Sequence, residues 1–230
     1  MFSAIATGSR ARTLLIWGLV LEFPLRYLIF PDPWLHEADH WYFIQPTRLM
    51  IEVAFVVAAF VPFLCVDELR ALTTTRLDRR QLLYLVFGVP VALGLFGVTE
   101  WSEIEAIQRG DLWSQVPVWF VTGLFIGVGQ ELTFRGLIFT GVKSSAGTRM
   151  AVVISTALFV VGPLHGPRMY AYATSGFTSE ALVLLGVFTA TGLTFTWVRT
   201  RTRHVLVPAL LHGFGNAVKW GTVFVIKLHS

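Results

Sequence analysis

Three apolar stretches of this chain hold residues able to do acid–base chemistry: a carboxylate, two imidazoles and an amide. Glu131 lies in Gly129-Gln130-Glu131-Leu132-Thr133-Phe134-Arg135-Gly136, four residues before Arg135. That spacing puts both side chains on one helix face, where they can pair. His212 and Asn216 are also four apart, in His212-Gly213-Phe214-Gly215-Asn216. Imidazole and amide therefore project from one face, and the small residues between them let a neighbouring helix come close. His165 ends a third stretch, in Gly162-Pro163-Leu164-His165-Gly166-Pro167. Peptide hydrolysis needs this inventory: a base to activate water, a second group for proton transfer, and neutral donors for the oxyanion. Each part also has a plainer reading. Glu131 and Arg135 can be a buried ion pair that fixes helix register, His212 and Asn216 polar glue between helices, and His165 an interfacial residue. An ionisable group in lipid costs roughly 2.5–3.5 kcal/mol or more, so such groups face a bundle interior and often mark function.

A fourth constellation, His36-Glu37-Ala38-Asp39-His40, fits the H-E-x-x-H pattern. On a helix that spacing presents two imidazoles to zinc with the glutamate as general base. Here it sits in an acidic, aromatic segment between Pro33 and Pro46, and the zinc reading requires a helix and a third ligand. The bland alternative is a chance match in an interfacial segment. Glu22 and Arg26, which flank Pro24, and Glu52 are further intramembrane ionisable groups; these read as bundle-stabilising.

The elements that must position these residues are membrane helices. Hydrophobic residues make up 54% of the chain and charged residues 14%, against about a quarter charged in soluble domains. Apolar stretches near the ~20 residues that cross a bilayer fall at 13–30, 47–66, 81–98, 117–140, 150–164, 180–198, 205–218 and 220–228. The first follows Arg10 and Arg12 but leads into Pro31-Asp32-Pro33 without a cleavage signal, so it reads as a retained span. Arg70/Arg76/Arg79/Arg80, Lys143/Arg149 and Arg199/Arg201/Arg203 fall on the side of Arg10 and Arg12, and acidic segments fall on the other. The positive-inside rule then makes the N-terminus cytoplasmic. The same rule accounts for the net charge of +4, which needs no nucleic-acid partner. The lone Cys65 excludes an internal disulfide and reads as a buried structural thiol.

The stretch 129–136 resembles the E-E-x-x-x-R-G motif of the CAAX-protease and bacteriocin-processing family, also called the Abi or CPBP intramembrane glutamic endopeptidases. The stretch 197–216, with Val207-Pro208-Ala209-Leu210-Leu211-His212 leading to Asn216, resembles that family's last H-x-x-x-N motif and its approach. His165 falls where the middle F-x-x-x-H motif should be. The resemblance covers roughly 117–218 and implies an α-helical membrane protease without a metal or other cofactor. By the same resemblance the first glutamate of the pair activates water, helped by the middle histidine, and the last histidine and asparagine form the oxyanion hole. Those positions here are Gln130, His165, His212 and Asn216, with Glu131 the second glutamate and Arg135 the arginine. Two departures stand out. Gln130 replaces the expected glutamate, and an amide is no general base at neutral pH. Either Glu131 takes over, or this is an inactivated variant, or the protein no longer cleaves. Phe159 also lies six residues before His165, with Val161 at the usual Phe position; Gly162-Pro163 offers a kink to absorb the shift.

The expectation is an all-α membrane protein, a bundle of seven or eight transmembrane helices. Residues 1–116 form N-terminal helices and loops, 117–218 the catalytic core and 219–230 a short last helix, all one integral domain. The function expected is cleavage of a peptide or protein tail at the membrane, weakened or abolished by Gln130. The small size points to a prokaryotic inner membrane. Three other readings remain open: a catalytically dead relative that binds a membrane partner, a zinc protease on His36/Glu37/His40, and a proton-coupled transporter controlled by Glu131. The paired half-repeats of many transporters are absent from the sequence.

Overall fold

The computed structural model describes residues 8–30, 41, 44–73, 76–176 and 178–228. The described residues are helical with no strand, as the run of apolar stretches predicts. The elements are α1 (Gly8–Val20), α2 (Thr47–Cys65), α3 (Arg79–Thr99), α4 (Trp101–Arg109), α5 (Val116–Glu131), α6 (Phe139–Val160), α7 (Gly166–Ser175), α8 (Ser179–Thr202) and α9 (Leu206–Lys227). Four helical segments are long and apolar enough to cross a membrane: Thr47–Cys65, Arg79–Thr99, Trp113–Val160 and Ser179–Thr202. The outer faces are apolar too. Val86, Phe87, Val91, Leu95 and Val98 of α3 and Leu182, Val183 and Val187 of α8 are all exposed, a surface suited to lipid rather than water.

Two helices contain π-helical turns. α1 continues through Leu21–Leu25, which contains Pro24, into Arg26–Ile29; a ring nitrogen without N–H removes one i→i−4 bond there. α5 continues through Leu132–Ile138 into α6. Within α6, Gly147 has φ 83° and ψ 172°, a conformation open to glycine and strained for other residues. It makes a corner between two helical arms, close to the boundary expected between the stretches 117–140 and 150–164.

Three sequence expectations are corrected. The stretches 205–218 and 220–228 are not two spans but one helix, α9. Lys219, which divides them in the sequence, stays helical and donates to Glu100 Oε1 at 2.7 Å. The stretch expected to run to Leu164 stops at Val160, because Gly162 and Pro163 turn the chain. Cys65 is exposed, because the buried stripe of α2 is Phe55, Ala59 and Phe63, which are four apart and leave the helix end outside.

The core is built around α5. In lipid, helices associate through close packing of small residues rather than a hydrophobic driving force. A Cβ on Gly123 would sit 2.5 Å from the Asn216 carbonyl oxygen, and one on Gly127 2.7 Å from the Gly213 Cα, so α5 and α9 touch backbone to backbone. α1 lies as closely against the end of the π-turn, where a Cβ on Gly18 would meet Ile138 at 2.8 Å. Beside these contacts sits a buried ionic network. Arg26 donates to Glu22 Oε2 at 2.8 Å and to both Glu52 oxygens at 3.2 and 3.0 Å. Arg48 pairs with Glu52 at 3.0 Å. The Arg26 and Arg48 guanidinium groups lie over the rings of Phe55 and Phe30, at 4.1 and 3.8 Å. The two acids and two arginines balance in charge, so the groups read as bundle-stabilising do join α1 to α2. A Cβ on Gly129 would lie 4.0 Å from Arg26 Nη2, which sets this network against the turn that holds Gln130.

Candidate active site

The first motif is folded by the end of α5 and the π-turn that follows it. Thr133 bonds back to the Gly129 carbonyl at 2.9 Å, and the Phe139 N–H reaches the Phe134 carbonyl. Wide turns of this kind recur at functional sites. Glu131 and Arg135 pair across it, Nη1 to Oε1, at 3.1 Å, and neither side chain is exposed. Arg135 has two further anchors on α8. Its Nη2 donates to the Gly192 carbonyl at 2.8 Å and its Nε to Thr196 Oγ1 at 3.4 Å. A Cβ at residue 192 would sit 3.3 Å from that Nη2, so a glycine there opens the path to the carbonyl. The guanidinium also lies 4.4 Å from the centre of the Phe159 ring.

The second motif arrives on α9. The close approach at Gly127 and Gly213 brings His212 to Glu131, with Nδ1 2.9 Å from Oε1. Oε1 already accepts from Arg135, so the imidazole is the donor, through Nδ1–H. The His212 ring stacks on Phe195 at 4.6 Å and meets Phe159 edge-on at 5.8 Å. Glu131 Oε2 is buried and has no hydrogen-bond partner among the described residues. One carboxylate oxygen is thus doubly anchored, and the other keeps its hydrogen-bonding capacity unused among the described residues.

His165 comes from the turn between α6 and α7. Its Nδ1 is 2.9 Å from the Phe159 carbonyl oxygen. A carbonyl only accepts, so Nδ1 carries a proton and the neutral imidazole's lone pair lies on Nε2. The ring stacks on Phe188 at 3.9 Å and meets Phe159 edge-on at 4.8 Å. The six-residue spacing is therefore absorbed by a turn, and Phe159 does meet His165, whereas Val161 is exposed. Phe159 thus touches both histidines and Arg135.

The structure brings Glu131, Arg135 and His212 into direct contact and holds His165 against the same phenyl ring. Gln130 is buried, but its amide takes part in none of these bonds. Asn216 is half-buried one turn along α9 from His212, with its side chain outside the Glu131 network. Gly192, Thr196, Phe188 and Phe195 were not singled out from the sequence, and their residue types carry no signal that would have marked them. His36, Glu37 and His40 lie outside the described residues, and among the described residues no three His, Cys, Asp or Glu converge to hold a metal ion.

Residues 112–218 match the family model described as type II CAAX prenyl endopeptidase Rce1-like. No curated protein and no solved structure matches the chain. The matched segment runs from the start of α5 through most of α9 and contains Gln130, Glu131, Arg135, His165, His212 and Asn216. Motifs and family model thus agree: this integral membrane protein carries, over residues 112–218, a match to the Rce1-like CAAX endopeptidase family.

Proposed function

We propose that this chain is an intramembrane endopeptidase in which Glu131 takes the general-base role that Gln130 has lost. The family match supports a membrane protease, and the carrying observation is the division of labour within the Glu131 carboxylate. Oε1 is held by Arg135 and His212, and Oε2 is buried with no partner among the described residues. A water at Oε2 gives up a proton as its oxygen adds to the scissile carbonyl carbon. The Asn216 amide, a neutral donor one turn from His212, faces the oxyanion. His165 Nε2 and the Glu131 carboxylate handle the proton, which passes to the leaving amine as the C–N bond breaks. The reaction consumes one water and leaves a new carboxyl and a new amino terminus. The substrate is a peptide or protein tail reaching the site from the bilayer or its surface, with the chain in a prokaryotic inner membrane and its N-terminus cytoplasmic.

A second reading rests on Gln130. Glu131 Oε1 is committed to two partners, and no carboxylate stands at the preceding position, so the chain can instead hold a membrane partner without cutting it. Purified protein and Glu131→Gln, each given a membrane-anchored peptide, separate the two. Cleavage by the first and none by the second supports Glu131 as base. No cleavage by either, with peptide still bound, supports the binding protein.

A further inference from the structure

The end of the bundle that carries the Arg-rich loops holds a buried guanidinium with no counter-ion among the described residues. Arg199, in the last turn of α8, is 7% exposed. Its only hydrogen bond among the described residues runs from Nε to the Arg135 carbonyl at 3.2 Å, and none of its nitrogens lies within salt-bridge distance of a described carboxylate. Guanidinium carries four further N–H donors on Nη1 and Nη2; the Phe139 ring lies 5.9 Å away, and a desolvated charge without a counter-ion is costly. The nearest charges make matters worse: the Lys143 ammonium lies within electrostatic reach of both Arg199 and Arg203. Lys143, Arg199 and Arg203 are all basic, and no described acid makes a salt bridge with any of them.

Topology and the helix dipole account for part of this. Cations are favoured at helix C-termini and in positive-inside loops. Neither favours burying one of them, and neither explains Arg203. That residue caps α8 with φ 53° and ψ 24°, the left-handed conformation that favours glycine at this place. Arg203 is exposed at this cap and within electrostatic reach of Lys143. The level in the membrane is marked as well. Trp197 is exposed, packs edge-on against Tyr84 at 5.9 Å and lies 6.0 Å from the Arg201 guanidinium, the signature of the headgroup layer.

We propose that Lys143, Arg199 and Arg203 form a site for the phosphate of an anionic membrane lipid. Phosphate matches the planar fork of arginine, and the headgroup layer supplies it at this depth. Through the Arg199 Nε bond to the Arg135 carbonyl, the bound headgroup steadies the turn that carries Arg135 and Glu131. The site is independent of whether the chain cleaves peptides.

The test uses the full chain in neutral detergent, titrated with phosphatidylglycerol or phosphatidylcholine and read by native mass spectrometry and by thermal midpoint. Loss of Arg199 can unfold the chain, so the deciding variant is the exposed pair Lys143→Gln/Arg203→Gln, with Arg79→Gln/Arg80→Gln as a charge-matched control. The expected result is retention of phosphatidylglycerol over phosphatidylcholine, with a raised midpoint. The pair at 143 and 203 should weaken it about thirty-fold, about the worth of two basic residues to an anionic headgroup, and the control, which leaves the proposed site unchanged, should leave it intact. Equal retention of both lipids, or equal weakening by both double variants, would overturn the site. Inorganic phosphate giving the full midpoint shift, with phosphatidylglycerol adding nothing, would overturn the lipid assignment in favour of a free anion.

Discussion

Glu131 Oε1 and His212 Nδ1 stand 2.9 Å apart although 81 residues separate them in the chain. The contact exists because α5 and α9 meet where glycine faces glycine. It converts two separate four-residue motifs into one acid–imidazole pair, with Arg135 closing it from the other side.

If Glu131 is the base, Glu131→Gln keeps the shape of the side chain and removes its basicity. Cleavage should fall about 10²–10⁴-fold, the usual contribution of a general base. The thermal midpoint should be lowered as well, because Arg135 loses its buried counter-charge. Steady-state cleavage at equal folded protein is the measurement.

The approach of α5 to α9 predicts that Gly127→Val is damaging. The added carbons would meet the Gly213 backbone at 2.7 Å, and relief of such overpacking costs about 1–3 kcal/mol. Cleavage should be lost along with stability. Gly94→Ala is the control, because a Cβ there meets nothing within 4 Å. A denaturation series in detergent checks both.

The pair Glu131/Arg135 and the face shared by His212 and Asn216 were legible in the sequence, because helix periodicity fixes which residues align. The α5–α9 contact was legible only as a tendency, from the small residues between His212 and Asn216. The anchors of Arg135 on α8 were not legible: a backbone carbonyl at Gly192 leaves no trace in residue type, and Thr196 looks like any helix threonine. The turn after Val160 defeated a fixed spacing rule. Phe159 and His165 find each other across Gly162-Pro163, at a separation no continuous helix would allow. Lys219 misled the span count, because a lone cation reads as a break until its partner Glu100 is seen. The N-terminal half matched only as generic hydrophobic spans, yet its Arg26 network abuts the turn at Gly129.

That network predicts a contrast in stability. Glu52→Gln leaves Arg26 and Arg48 sharing a weakened partner in a site with no exposure. Breaking such a buried pair costs about 3–5 kcal/mol. Lys219→Met removes a pair whose lysine is 35% exposed, though it leaves the buried Glu100 carboxylate unpartnered, and should cost less, about 1–3 kcal/mol. Thermal midpoints of the two variants, measured side by side, test the ranking.

Phe159 holds Arg135, His165 and His212 through one ring, so Phe159→Leu should slacken all three while keeping an apolar fill. A displacement on the order of 1 Å at a catalytic group costs about 10²-fold in rate. Cleavage should therefore fall far more than stability does. A kcat loss with little change in thermal midpoint is the expected pattern.

The most direct test is cleavage of a membrane-anchored peptide library by this chain, by Gln130→Glu, and by Gln130→Glu combined with His212→Ala. The account predicts measurable cleavage by this chain, a sharp rise in the Gln130→Glu form and loss of it when His212 is removed. No cleavage by any of the three, with each protein folded and the library broad, would contradict the protease reading and leave the partner-binding protein in its place.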